Sequence, residues 1–276
     1  MLFILQKESE YMDLDVDLLT LRQELKKQKY QHEYTTMGLM DFSDDKIDDK
    51  LKDAVVVGTI NFVQKYLSKY HHVDNMNPIE VPMEMRLPHL LNRDYSIVTA
   101  DKIPWQGKYF IKDVSKLKQF SYCGNMEYFM YDGIFDKPTK QFDTNLHLDA
   151  THLYQVSSVV NILSEYRVFV VDDDIKGIQF YDGDPTIMPT PDEIKKIKEM
   201  VTRYMINKSR PGAYSLDIAV ISTKNGRDIA VLEVHPFASV GLYGLYGSFL
   251  PMAYRLGLDY YINHNTKMEP SVREES

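Results

Sequence analysis

Two runs of β-forming residues, "AYSLDIAVIS" and "IAVLEVHP", each carry one carboxylate, Asp217 and Glu233, where a buried strand ordinarily has another aliphatic side chain. Between them lies Lys224-Asn225-Gly226, a strong hairpin signal. A three-residue loop with Gly226 in the left-handed position, flanked by residues 223 and 227, puts Asp217 directly opposite Glu233. A two-residue turn at Asn225-Gly226 shifts the register by one and sends the two acids to opposite faces. The expected loop is the three-residue one. Like charges opposed on a sheet repel, and a cation between them removes the conflict. Hard oxygen ligands of this kind suit Mg²⁺, which takes one or two protein carboxylates and fills its other positions with water and phosphate oxygens. His235, two residues past Glu233, shares that face and is a candidate metal ligand or phosphate donor, or an ordinary half-buried histidine.

Cationic candidates lie upstream. In "KYFIKDVSKLKQFSY", expected as one strand, Lys112 and Lys118 are point charges suited to phosphate, while Lys116 is expected to face solvent. "SEYRVFV" sets Glu165 and Arg167 two apart, hence on one face. The arginine fits bidentate contact to phosphate or carboxylate, or an internal salt bridge at a sheet edge. Asp172-Asp173-Asp174 reads as turn chemistry, with a hairpin turning between Asp173 and Gly177. Gly241, Gly244 and Gly247 recur every third residue without matching a phosphate-binding glycine loop. A single cysteine, Cys123, excludes an internal disulfide and a cysteine-rich zinc site, and reads as structural.

These side chains need a folded frame, and the composition supplies one. The 276 residues are 44% hydrophobic and 26% charged, as in a globular protein of one large domain or two to three small ones. A net charge of −8 argues against nucleic acid as a partner. No apolar run is long enough to span a bilayer, and "MLFILQKESEY" turns polar too soon for a secretory signal, so a cytoplasmic location is expected. "LFILQ" and "AVVVGT" read as buried strands, with helices at "LDVDLLTLRQELKKQK" and "INFVQKYLSKY". They predict a small α/β domain over 1–104, followed by a larger domain over 105–265 and a polar tail over 266–276. Residues 132–155 are expected to be loop-rich. A helix starts at Pro191, with Thr190 as N-cap, Glu193 completing a capping box and Ile197, Met200, Val201 and Tyr204 in one stripe.

Taken in order, "FIKDVSKLKQF", "SEYRVFV", "YSLDIAV" and "LEVHPFASVGLYG" resemble the ATP-grasp superfamily, and most of all its bacterial and phage clade named for one arginine and two lysines. The resemblance covers about residues 105–250. It implies an α/β (α+β) fold in which two α+β subdomains sandwich ATP, preceded by a small α/β N-terminal domain. It also implies that Lys112 and Lys118 bind ATP phosphates, that "SSVVNIL", with Val160 and Ile162, lies along adenine, and that Glu165 borders the nucleotide. Arg167 would contact the γ-phosphate or an acyl-phosphate, acting with Lys118 in catalysis, while Asp217 and Glu233 hold Mg²⁺. The family usually has asparagine two residues past the metal-binding glutamate. Here stands His235, within the ATP site, which admits Mn²⁺ as well as Mg²⁺. The implied activity is an ATP-dependent carboxylate–amine ligase working through an acyl-phosphate, with an acid and an amine drawn from peptides, proteins or amino acids. Its rivals are an ATP-binding module that engages a partner and a phosphotransferase on the same fold. The sequence leaves the oligomeric state open.

Overall fold

The computed structural model describes residues 1–7, 15–36, 49–76, 79–104, 106–115, 121–126, 148–149 and 151–264. Lys116, Lys118, most of 132–155 and the tail 266–276 lie outside the described residues.

The first strands, β1 (Leu2–Lys7), β2 (Gln31–Thr36) and β3 (Val55–Val57), form a parallel sheet in the order β2-β1-β3. Parallel neighbours need crossovers, and the helices Val16–Lys27 and Ile60–His71 flank them. Phe3 and Leu5 pack with Leu18, Leu21 and Leu25 of the first helix, while Ile4 and Val56 pack with Val63, Tyr66 and Leu67 of the second. The closing helix, Leu250–Asn263, contributes Tyr254 to one cluster and Leu258 to the other, so both ends of the chain share this core. β2 escapes the sequence pattern because "QHEYTT" is polar throughout; it forms on the sheet edge, where apolar alternation is not demanded.

Two antiparallel sheets follow. β4 (Tyr95–Thr99), β5 (Lys108–Asp113), β6 (Ser121–Asn125) and β7 (Leu153–Ser158) are arranged β4-β7-β5-β6. The expected single strand over 108–122 is instead two paired strands, Lys112 lying opposite Ser121. β8 (Asn161–Val171), β9 (Asp174–Gly183), β10 (Ala213–Thr223) and β11 (Gly226–Pro236) are arranged β11-β10-β8-β9. Between β7 and β8 only Val159 and Val160 intervene, so there the chain passes from one sheet to the other. The β8–β9 turn is tighter than expected: Asp172 (φ 49°) and Asp173 (φ 66°) make it, and β9 has begun by Asp174. The acids there are turn residues, and Asp173 also accepts from Arg210 Nε at 2.8 Å.

Strand alternation divides the second sheet into two unlike faces. Val168, Val170, Leu216, Ile218 and Val231 form one face and pack on Ile197, Met200, Val201 and Tyr204 of the helix Pro191–Tyr204. Arg167, Asp217 and Glu233 lie on the other. The helix starts as its sequence predicts: Thr190 Oγ1 accepts from Glu193 N, and the Glu193 carboxylate accepts from Thr190 N at 2.6 Å. Arg227 Nε also donates to that carboxylate at 2.9 Å. Burial pushes the Glu193 carboxyl up, but Arg227 and the cap prevail and hold it below its usual range. Glu193→Ala should therefore lower stability by about 1–2 kcal/mol at neutral pH. Because the folded value is depressed, that contribution is full above the unfolded carboxylate range and disappears as pH falls through the folded value. Denaturant titrations of both proteins at pH 7 and in acid check this; equal gaps at the two pH values would refute it.

Candidate functional site

The face opposite the helix carries a row of charge. Arg167 on β8 pairs in register with Asp217 on β10, which pairs with Glu233 on β11. β8 is an inner strand, so the arginine is not at a sheet edge. It reaches Asp217 in a two-point bond, Nε to Oδ1 and Nη2 to Oδ2, both 2.7 Å, with the two side chains buried. Tyr181 and Tyr243 lie against the guanidinium, their ring centroids 4.9 and 5.2 Å from Cζ. Burial works against the Arg167 charge, but the bonds to Asp217 prevail and raise its affinity for the proton.

Glu233 has different partners. Lys112 Nζ, from β5 of the other antiparallel sheet, stands 2.8 Å from Oε1, and His235 Nε2 stands 2.8 Å from Oε2. Burial would push this carboxyl up, yet His235 and Lys112 outweigh it and hold it far below the ordinary carboxylate range. His235 Nε2 is also 3.8 Å from Asp217 Oδ2, and one ligand atom from each of Asp217, Glu233 and His235 falls within 4.8 Å of the others. Two hard carboxylates beside one imidazole form a donor set that suits Mg²⁺ or Mn²⁺.

The acids meet as expected, but not for the expected reason. Next to the turn the register is Thr223 opposite Gly226 and Ser222 opposite Arg227, not 223 opposite 227. Continued unbroken, it would set Asp217 against Leu232. A β-bulge between the pairs Asp217/Glu233 and Ile218/Val231 leaves Leu232 as the extra residue and restores the match.

A cleft of ≈ 260 Å³ opens beside this row, where the two antiparallel sheets meet. Val160, Ile162 and Glu165 line it together with Asp217 and Glu233, as does Ser158 from the end of β7. Burial, and next the nearby Asp182, Asp217 and Glu233, push the Glu165 carboxyl up. Cys123 is exposed and lines the cleft, which corrects its reading as a structural residue. Gly244 (φ 84°) and Gly247 (φ 156°) serve turns of the loop that carries Tyr243. Sequence reasoning missed Arg93, Gln155, Phe110 and Tyr181, which also line the cleft. None belongs to a charged pair or a periodic pattern, so only the strand order could reveal them.

This same stretch of chain matches a family model: residues 91–249 fit an ATP-grasp domain, family 2 of the clade named for one arginine and two lysines. The chain belongs to that family. Lys112, Arg167, Asp217, Glu233 and His235 all fall inside the matched span of this ATP-grasp domain, and so does Arg93.

Solved structures share the fold. D-alanyl-alanine synthetase A from Vibrio cholerae O1 biovar eltor is 12% identical, with 95% of this chain and 98% of that one covered and a TM-score of 0.54. The D-cycloserine synthetase DcsG is 10% identical, covers 96% and 100%, and has a TM-score of 0.53. The ATP-grasp ligase PsnB, complexed with a minimal precursor, is 11% identical, covers 92% and 97%, and has a TM-score of 0.51. Among curated proteins no sequence matches. The mixed α+β architecture is thus an ATP-grasp fold, and no helix among its described residues is long and apolar enough to cross a membrane.

The family resemblance implies that Lys112, which reaches from one antiparallel sheet to a carboxylate of the other, meets ATP phosphates. Lys112→Ala should weaken binding of ATP about tenfold, the loss of one hydrogen bond to a charged group. Calorimetric titration of ATP into both proteins measures it, and an unchanged affinity would take Lys112 out of the nucleotide site.

Proposed function

We propose that this ATP-grasp protein is an ATP-dependent carboxylate–amine ligase: the γ-phosphoryl of ATP passes to a carboxylate, and an amine then displaces phosphate to leave an amide. The carrying observation is the row Arg167–Asp217–Glu233 faced by Lys112, in which every charge is paired with an opposite one. Such a row can admit an anionic polyphosphate with its cation by exchanging partners, so no bare charge is left buried in either state.

On this reading Asp217 and Glu233 would hold Mg²⁺, with His235 as a neighbouring donor, and the ion would supply positive charge to offset that on the transferring phosphoryl group. Lys112 orients the phosphates. Arg167, held rigidly by Asp217 and two aromatic rings, presents its remaining N–H groups to the oxygens on which charge develops. Val160 and Ile162, which line the cleft, would provide an apolar wall for the base, and Glu165 would border the nucleotide. Lys118 is assigned to the phosphates by family resemblance alone. The acid and amine are proposed to come from peptides, proteins or amino acids, since PsnB is complexed with a precursor and D-alanyl-alanine synthetase A is named for a dipeptide. A single unpaired cysteine fits a cytoplasmic location.

The test is to follow ADP and phosphate release with Mg²⁺ and panels of acids and amines. Turnover that requires both an acid and an amine supports the ligase. Turnover with the acid alone, ending in a stable phosphorylated product, indicates a phosphotransferase, and tight ATP binding without turnover indicates a binding module.

A further inference from the structure

The carbonyls along the outer side of β11 record where the bulge sits. β11 is the edge of its sheet, so its outward carbonyls have no strand partner. The segment 79–93, which links the parallel sheet to β4, runs along that edge and occupies them. Asn92 Nδ2 donates to Ile229 O at 2.8 Å. Arg93 Nη1 donates to Val231 O at 2.5 Å, and Nη2 reaches Leu232 O at 3.5 Å. Ile79 bridges Val234. Outward groups fall at odd positions, 229 and 231, before the bulge, and at even positions, 232 and 234, after it. The change of parity brings two successive carbonyls to the outside at Val231 and Leu232, and both are taken by one guanidinium.

The geometry points to Arg93 as a positioning residue for Glu233: its fork holds the Val231 and Leu232 carbonyls in the bulged arrangement that sets Glu233, rather than Leu232, opposite Asp217. This inference rests on the reading of Asp217 and Glu233 as metal ligands. Arg93 is well suited to the task. Burial lowers its affinity for the proton to a pKa of about 10, so it stays charged at neutral pH. Among the described residues no carboxylate forms an ion pair with it, and its hydrogen bonds there go to carbonyls, the third being Leu91 O at 3.2 Å. A planar fork can span two adjacent carbonyls; a lysine offers a single point charge and cannot.

Two variants separate fork from charge, Arg93→Lys and Arg93→Met. Mn²⁺ binding, read from the free-ion electron paramagnetic resonance signal in the presence of a non-hydrolysable ATP analogue, should weaken about tenfold or more in both. Analogue binding measured in EDTA separates any loss of nucleotide contact in the cleft that Arg93 lines from the loss of metal. Full retention of Mn²⁺ affinity in Arg93→Lys would overturn the inference, since charge alone would then suffice; so would unchanged affinity in both variants. The register is read separately by oxidising cysteine pairs in a Cys123→Ser background. With Arg93 present, Ser215→Cys should cross-link with its register partner His235→Cys and not with Val234→Cys, which lies on the helix-covered face, because a disulfide needs Cα atoms about 4.4–6.8 Å apart and side chains on one face. With Arg93→Met the Val234→Cys pair should cross-link as well. An identical pattern with and without Arg93 overturns the inference. If the wild-type protein fails to bind Mn²⁺ at all, the metal-site reading fails, and the cross-linking pattern still decides what Arg93 does to the bulge.

Discussion

Glu233→Gln is expected to reduce Mg²⁺-dependent turnover about 10³-fold, the scale of losing one group that stabilises transition-state charge directly. The carboxylate pairs with Lys112 Nζ at 2.8 Å and, on the proposed reading, would give its charge to the metal and release Lys112 to phosphate. Glutamine fills the same space and can do neither. Asp217→Asn should cost as much activity but is a less clean test, because it leaves the buried Arg167 guanidinium facing a neutral amide. Breaking a buried pair in this way costs about 3–5 kcal/mol of stability, so Asp217→Asn needs a melting curve beside its kinetics. Steady-state ADP release at saturating ATP is the measurement. Near wild-type activity in a folded Glu233→Gln protein would refute the metal site.

The second large effect concerns the metal itself. With His235 Nε2 within 2.8 Å of Glu233 and 3.8 Å of Asp217, Mn²⁺ should support turnover several-fold better than Mg²⁺, because an imidazole nitrogen suits a transition metal better than Mg²⁺. His235→Asn, which offers an amide oxygen, should reverse that order. The ratio of rates in the two metals, measured for both proteins, is insensitive to losses that affect each metal equally. A ratio that the substitution leaves unchanged would remove His235 from the metal and favour its alternative role as a phosphate donor.

Local chemistry carried a large part of this structure into view. The capped helix at Pro191 was legible because Thr190 and Glu193 satisfy each other within one turn of chain. Arg167, Asp217 and Glu233 stood out because a charge inside an apolar strand demands an explanation in any fold. β2 was not legible, since an edge strand with no apolar alternation looks like a loop. The passage from one sheet to the other at Val159 and Val160, beside which the cleft forms, was not legible either, since nothing in that apolar run marks a break. The order of the sheets depends on pairings between distant segments, about which a local window is silent.

By itself the sequence determined which side chains carry charge, that the residues around Asp217 and Glu233 form a hairpin, and which ATP-grasp motifs stand in which order. Tertiary structure decided the register. The turn alone sets Asp217 against Leu232, and the bulge corrects it at an edge where Arg93, more than a hundred positions away in the chain, takes the two displaced carbonyls. The physical reason is that side-chain identity is fixed residue by residue, whereas a strand's register is a collective choice, settled by whichever long-range partner satisfies the backbone groups that the turn leaves unpaired.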